Sequence, residues 1–238
     1  MRFPKKLSLV IPVYNEEKRL DKALKICKDY LNKFPDWEFI FVNDGSTDKT
    51  EEMIKNAGFR VISYKKNQGK GCALKQGVKL ATKPLTLITD IDFSTPLTEL
   101  PKLYGEIESG FKMVIGSRKT KGSVVTKHQP KLREWLGTRF TDLSNVWLGL
   151  KVSDFTCGFK LFKTDTAKEI FDKQRIKRWG YDAEIVFIAN KLGVNIKEVP
   201  VVWGNDNRTR VNLGKDILRS LIDLVMIRFN DLAGRYRH

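Results

Sequence analysis

Between Leu7 and Thr89 the chain alternates short apolar runs with helix-length amphipathic stretches, and that alternation leaves few folds open. Leu7 to Val13 reads as a strand. A helix from about Glu16 to Lys33 follows, with Leu20, Leu24, Cys27 and Leu31 on one face. Trp37 to Val42 is a second strand, and Thr47 to Asn56 a helix with Asp48, Glu51 and Glu52 in its first turns. Phe59 to Tyr64 is a third strand, Gly71 to Ala81 a helix and Leu85 to Thr89 a fourth strand. Repeated βα units join parallel strands through helical crossovers. The expected class is therefore α/β, a Rossmann-like, mostly parallel sheet with helices on both faces.

The rest of the chain extends the pattern. Leu97 to Ser109 reads as a helix and Lys112 to Gly116 as a strand, while the polar, glycine-containing stretch Gly116 to Pro130 reads as a mobile loop. A long helix from Pro130 to about Leu148 spaces Leu132, Trp135, Leu136, Phe140, Leu143 and Trp147 helically. Next come a short strand, Phe159 to Phe162, and helices at about Asp165 to Lys173 and Asp182 to Leu192. Strand Val194 to Trp203 and a basic loop lead to a C-terminal amphipathic helix from about Gly214. No repeat, low-complexity segment or clear linker interrupts the 238 residues, so a single domain over 1–238 is expected.

Hydrophobic residues at 41% and charged residues at 30% fit a globular protein. No apolar stretch approaches the ~20 residues that cross a bilayer, and Met1 to Leu7 holds no extended apolar region of the secretory kind. Three scattered cysteines, Cys27, Cys72 and Cys157, fit reduced thiols of the cytosol better than a disulfide framework or zinc site. Lys plus Arg number 44 against 28 Asp plus Glu, a net +16, which points to polyanionic partners: nucleic acid, anionic lipid headgroups or phosphorylated substrates. A solvated lysine surface suffices for Lys5, Lys6, Lys65 and Lys66. Basic residues are dense from Arg118 to Arg139 and again from Arg208 to Arg237. Scattered aromatics without a base-stacking platform argue against nucleic acid.

Four motifs sit where strands end. Ile11-Pro12-Val13-Tyr14-Asn15-Glu16-Glu17 puts a ring at the rim, where Pro12 or Tyr14 can contact a base or ribose; Asn15 and Glu17 also suit a helix start. In Val42-Asn43-Asp44-Gly45-Ser46, Asp44 can accept a hydrogen bond from a base or ribose, or simply make a turn. Asn67-Gln68-Gly69-Lys70-Gly71 opens a helix with glycines and a lysine, as an anion site does, and lacks the spacing of a Walker loop. Thr89-Asp90-Ile91-Asp92 sets two carboxylates on one side of an extended chain. Paired carboxylates at a sheet rim suit a hard divalent cation carrying a diphosphate.

Their order, followed by Gly116-Ser117-Arg118, resembles the family 2 glycosyltransferases of GT-A fold. Ser153-Asp154-Phe155-Thr156-Cys157-Gly158-Phe159-Lys160-Leu161-Phe162, Arg178-Trp179-Gly180-Tyr181-Asp182-Ala183-Glu184 and Glu198-Val199-Pro200-Val201-Val202-Trp203 narrow the resemblance to the polyprenyl-phosphate branch. Within it the chain is most similar to dolichyl-phosphate glucosyltransferases. There are departures. Asn43 stands where relatives commonly carry Asp, and Asn207-Arg208-Thr209-Arg210-Val211 does not reproduce the loop of the mannosyl enzymes. The transmembrane segments of some relatives are not found.

The resemblance implies inverting transfer of a hexose, glucose from a UDP-sugar, to a polyprenyl or dolichyl phosphate. Residues 7–118 would form the nucleotide-sugar half and 119–238 the acceptor half with the membrane-facing helices. Pro12, Tyr14, Glu16, Val42 and Asp44 would hold the nucleoside, with Lys70, Asp90, Ile91 and Asp92 completing the donor site. Asp90 and Asp92 would carry Mg²⁺ or Mn²⁺, Asp92 as the more direct ligand. Arg118, Arg133, Arg208 and Arg210 would hold the acceptor phosphate, whose second pKa of ~6 leaves it anionic without a general base. Asp182 and Glu184 would face the donor sugar, or cap a helix. Two apolar stripes face either the core or a membrane: that of the long helix, and Leu218, Leu221, Ile222, Val225 and Ile227 among arginines in the last. A protein peripheral on the cytoplasmic face of an anionic membrane is expected. Transfer to a saccharide or protein hydroxyl would instead require a base, Asp182 or Asp154. A non-catalytic nucleotide-sugar binder would not need the Asp90/Asp92 pair.

Overall fold

The computed structural model describes residues 2–206 and 213–237. Its elements in chain order are β1 (Leu7–Val13), α1 (Glu17–Lys33), β2 (Trp37–Asn43), α2 (Thr50–Asn56), β3 (Arg60–Ser63), α3 (Lys70–Lys79) and β4 (Leu85–Ile88). A 3₁₀ turn (Leu97–Glu99) leads into α4 (Leu100–Glu108), then β5 (Met113–Ser117), β6 (Val124–Lys127) and α5 (Lys131–Leu148). The chain ends with β7 (Lys160–Lys163), α6 (Thr164–Lys173), α7 (Tyr181–Lys191), β8 (Ile196–Pro200), β9 (Val202–Gly204) and α8 (Leu213–Leu232).

Seven strands form one sheet in the order β3-β2-β1-β4-β7-β5-β8. All neighbours are parallel except β7, which runs antiparallel to both β4 and β5. The chain moves outward from β1 to β3 and then returns to the other side of β1 for β4. That reversal opens a crevice at the carboxyl ends of β1 and β4, where open α/β sheets bind ligands. Reversing β7 has a local consequence. Lys160 pairs in register with Ile88 and Ile115, so the start of β7 lies at the rim where its neighbours end.

Alternation along the strands divides the core. Leu7, Leu9, Ile11, Phe39, Phe41 and Leu87 pack with Leu20, Leu24, Leu100 and Leu103 on the α1/α4 side. Val10, Ile40, Val42 and Ile88 face the other way, onto Leu74, Val78, Ile170 and Ile185. Strands buried on both faces carry near-continuous apolar runs, as in a parallel sheet.

Two expectations require correction. Gly116 to Pro130 is not wholly loop, because β6 pairs with β9 as a separate two-stranded ribbon. The expected strand Val194 to Trp203 divides into β8, which completes the main sheet, and β9, which leaves it for β6. The apolar stripes also resolve. On α8, Leu224 and Ile227 are buried, while Leu218, Ile222, Val225, Phe229 and Leu232 form an exposed row. On α5, Leu148 is buried, but Trp135, Leu143, Val146 and Trp147 are exposed. The two helices lie together: the Trp147 indole N–H donates to Leu224 O at 3.1 Å, and Arg228 Nε to Trp147 O at 2.8 Å.

Candidate active site

Asp90 and Asp92 lie one turn beyond β4 rather than on it, with Phe93 N–H closing the turn onto Asp90 O at 3.1 Å. The i, i+2 relation survives because the intervening Ile91 is 3% exposed and packs into the α1/α4 core. Ile91 therefore offers a ligand its backbone only. Phe93 adopts φ 47°, a left-handed conformation costly for a residue with a Cβ and retained here next to the carboxylates. Asp92 Oδ1 accepts from Ser94 N–H at 2.9 Å.

Each carboxylate has a cation beside it. Lys70, at the start of α3, places Nζ 2.6 Å from Asp90 Oδ1 and near the faces of Trp179 and Tyr181, at 5.9 and 5.8 Å. Arg19 of α1 grips Glu16 through two nitrogens and sets Nη1 3.6 Å from Asp92 Oδ2 and 3.4 Å from Asp206 Oδ2. Burial works against ionisation of Asp90, yet Lys70 overrides it and holds the carboxyl below its ordinary range. Asp92 moves the other way, raised by burial and then by the charge of Asp90. A dication would relieve that repulsion. Among the described residues no group of three or more His, Cys, Asp or Glu could hold a metal unaided. Two carboxylates needing oxygens from elsewhere suit an ion that arrives with a substrate diphosphate, so the residues fit such a group. Close by, the buried Tyr181 hydroxyl has no hydrogen-bond partner among the described residues.

Gly158 explains the Cys-Gly-Phe-Lys run. A Cβ there would stand 2.2 Å from Asp90 Oδ2, so only glycine leaves the carboxylate its place. Two residues on, Lys160 is fully buried, donating to Cys157 O at 2.7 Å and pairing with Asp182, itself 4% exposed. Asp182 is thus locked to a cation beneath the site and does not stand open toward a sugar. Glu184 lies elsewhere altogether. It accepts from the N–H groups of Arg175 and Ile176 at 2.9 and 2.8 Å and from the Tyr236 hydroxyl at 2.6 Å, pinning the chain end to α7.

At the end of β2, Asp44 organises the loop that precedes α3. Its oxygens accept from Asn67 Nδ2 at 2.8 Å, Gln68 N–H at 2.7 Å and Gly69 N–H at 2.8 Å. Both oxygens are engaged by protein, so Asp44 shapes the Lys70 loop before it could touch a nucleoside. Gly69 adopts φ 107°, and a Cβ there would meet Lys177 O at 2.5 Å. Val42 is fully buried on the α3 side of the core; its side chain forms no part of a binding surface, a correction that follows from strand alternation. Pro12 and Tyr14 are half-buried at the end of β1, and Glu16 is 8% exposed on Arg19.

On the other side of β7, Arg118 at the end of β5 is already forked onto buried Asp154: Nε to Oδ2 and Nη2 to Oδ1, both 2.7 Å. Its Nη2 also reaches Thr156 Oγ1 at 2.7 Å, and its plane lies over Trp203 at 5.2 Å. Burial opposes ionisation of Asp154, but Arg118 pulls its pKa down to about 2. Glu198 receives the N–H groups of Ser153 and Asp154 at 2.9 and 3.0 Å and so holds the Asp154 backbone. Arg133, in the first turn of α5, is half-buried and has no ion-pair partner among the described residues. Burial and then the neighbouring charge of Arg118 depress its pKa. Two guanidiniums converge there. Arg208 and Arg210 lie outside the described residues.

Sequence reasoning missed Arg19 and Lys160. Lys160 left a signal, a lone charge inside the apolar strand Phe159-Lys160-Leu161-Phe162.

A nucleotide-sugar site of the GT-A kind is the class this rim defines. The Glycosyl transferase family 2 model matches residues 8–171. A dolichyl-phosphate beta-glucosyltransferase of Trichomonas vaginalis is 34% identical over 247 residues, covering 97% of this chain and 75% of the relative. Enzymes of the same name from Dictyostelium discoideum and Homo sapiens are 31% and 30% identical, over 97% and 98% of this chain and 76% and 78% of theirs. Among solved structures, glucosyl-3-phosphoglycerate synthase from Mycobacterium tuberculosis in complex with uridine diphosphate superposes with a TM-score of 0.70. At 19% identity over 93% of this chain and 79% of that one, the likeness shows the fold. The same protein with Mn²⁺, UDP-glucose and phosphoglyceric acid gives a TM-score of 0.70 at 18% identity, again over 93% and 79%. The chain belongs to glycosyl transferase family 2.

Proposed function

We propose that the protein transfers glucose from UDP-glucose to a polyprenyl or dolichyl phosphate at a membrane surface, with inversion at the anomeric carbon. Relatives at 30–34% identity are dolichyl-phosphate beta-glucosyltransferases. The observation that carries the acceptor class is the state of the two carboxylates a hydroxyl acceptor would need. Asp154 is held ionised by Arg118, and Asp182 is buried on Lys160. A general base works best with a pKa near the operating pH, and a carboxylate near 2 is far from it. A phosphate monoester needs no base, since its second pKa is ~6. It needs cations.

Residues 7–118 then form the donor half and 119–238 the acceptor half, except that Gly158, Lys160 and Asp182 return to the donor rim and Arg118 turns to the acceptor. Tyr14 and Pro12 flank the nucleoside, while Lys70 and Arg19 offset the diphosphate charge. Asp90 and Asp92 would hold Mg²⁺ or Mn²⁺; bound there, the ion supplies charge neutralisation on the departing diphosphate. Arg133, with the Arg118 edge left by Asp154, holds the acceptor phosphate in line with the anomeric carbon, and the rim excludes water from it. Arg208 and Arg210 are proposed to add to this grip. Phosphate oxygen attacks, the bond to UDP breaks, and no enzyme proton is required. Among the described residues no helix is long and apolar enough to cross a membrane. The exposed rows of α5 and α8 are proposed to rest on its surface instead.

The test is transfer from radiolabelled UDP-glucose to a short-chain polyprenyl phosphate, compared with the matching polyprenol and with free sugars. Lipid-linked product from the phosphate alone is expected. Product only from a hydroxyl acceptor would overturn the reading.

A further inference from the structure

A cleft of about 650 Å³ lies apart from Arg118 and Arg133, walled by Lys66–Gln68, by Lys177 and Arg178, and by Arg219, Ile222 and Asp223 of α8. Asn67 stands between it and the donor rim, giving Nδ2 to Asp44 at 2.8 Å while its Oδ1 accepts from Arg178 Nη1 at 3.4 Å. Four cations face one carboxylate here. That carboxylate, Asp223, is partly committed to Gly180 N–H at 3.2 Å. Lys66 and Lys177 are exposed and have no ion-pair partner among the described residues. A solvated lysine surface accounts for Lys66 alone, but not for four cations converging from three separate segments.

The surroundings say what such a cleft would meet. Ile222 belongs both to the cleft and to the exposed row of α8, where it is 53% exposed. Trp179, adjacent to Arg178, is 38% exposed, and indole rings favour the headgroup level of a bilayer. A basic cleft bordered on one side by a continuous apolar row matches a surface whose anions lie just above hydrocarbon. A volume of this size admits a headgroup.

We propose that this cleft binds the phosphate of an anionic membrane phospholipid, orienting the protein on the bilayer separately from the acceptor. The proposal rests on membrane docking but not on the identity of the acceptor. Its test therefore uses phosphatidylcholine vesicles with and without phosphatidic acid, free of polyprenyl phosphate and donor. The wild-type chain should co-sediment with the anionic vesicles only. Lys177→Ala/Arg219→Ala should bind them about 30-fold more weakly, the loss that two cations near a charged surface account for. Lys22→Ala/Lys25→Ala on α1 removes the same charge elsewhere and should bind as wild type. Circular dichroism checks that each variant is folded. Equal losses in both double variants would mean diffuse charge and would overturn the cleft. So would unchanged binding in Lys177→Ala/Arg219→Ala while Ile222→Ser releases the protein. Vesicle binding without glucosyl transfer would sink the acceptor reading and leave this one standing.

Discussion

Separating the Lys160–Asp182 pair tests the site from beneath. Lys160 is fully buried and the Asp182 side chain is 6% exposed, so neither charge can turn to water when its partner is removed. Lys160→Met leaves a carboxylate stranded and also deprives Cys157 O of its 2.7 Å donor. Breaking a buried pair in this way costs about 3–5 kcal/mol. Against a total stability of about 5–15 kcal/mol, that is a large fraction. Asp182→Asn keeps the shape but orphans the ammonium, with a cost of the same order. Lys160→Met/Asp182→Asn removes both charges, and the double variant should be less destabilised than the two singles combined, by about 2–3 kcal/mol. Urea unfolding followed by tryptophan fluorescence reads all three, and glucosyl transfer is measured on the same samples. Simple additivity would show that the two groups do not interact. A second outcome is equally damaging: if Asp182→Asn unfolds like wild type but loses about 100-fold or more in kcat, Asp182 is a base and the acceptor argument fails.

Asp154 gives a pH signature. Its folded pKa is lowered from 3.8 to about 2, so its contribution is present above pH 4 and is lost as pH falls toward 2. Wild type should shed about 2 kcal/mol over that window that Asp154→Asn does not, read as a difference in acid unfolding curves. Gly158→Ala drives a methyl into Asp90, whose Oδ2 would be 2.2 Å away; a loss of about 1–3 kcal/mol in stability is expected, with a larger proportional loss in turnover. Asp92→Asn should lower kcat by about 10²–10³-fold with the fold intact, measured by steady-state transfer. Arg133→Ala should raise KM for polyprenyl phosphate at least about tenfold with KM for UDP-glucose unchanged, and Arg133→Lys should restore part of it.

The strands and most helices were legible because their signals are local. A nearly apolar run such as Leu7 to Val13, or a stripe such as Leu20, Leu24 and Cys27, needs no distant partner to be recognised. β6 was not legible. Val124–Lys127 is only four residues long and sits in a polar, glycine-containing stretch, and it becomes a strand through β9, which arrives at Val202–Gly204. Nothing near Val124 announces that partner.

The site divides along the same line. Asp90, Asp92, Lys70 and Arg118 could be placed at the rim because strand ends are local features, and carboxyl ends of parallel strands share one edge. Their partners are remote: Asp154 is 36 residues from Arg118, and Asp182 is 22 from Lys160. Without those partners Arg118 reads as a free fork and Asp182 as an open acid. With them, the Arg118 fork is half spent, both acids are paired, and the half-buried Arg133 has no ion-pair partner among the described residues. Val42 lies inward for a simpler reason: alternation continues to the rim end of β2, and its side chain falls on the α3 side, in the core. The chemistry therefore depends on which charges are already satisfied within the protein. Asp154 and Asp182 are committed to cations while Arg133 has no ion-pair partner among the described residues, an arrangement that suits receiving an anion better than removing a proton.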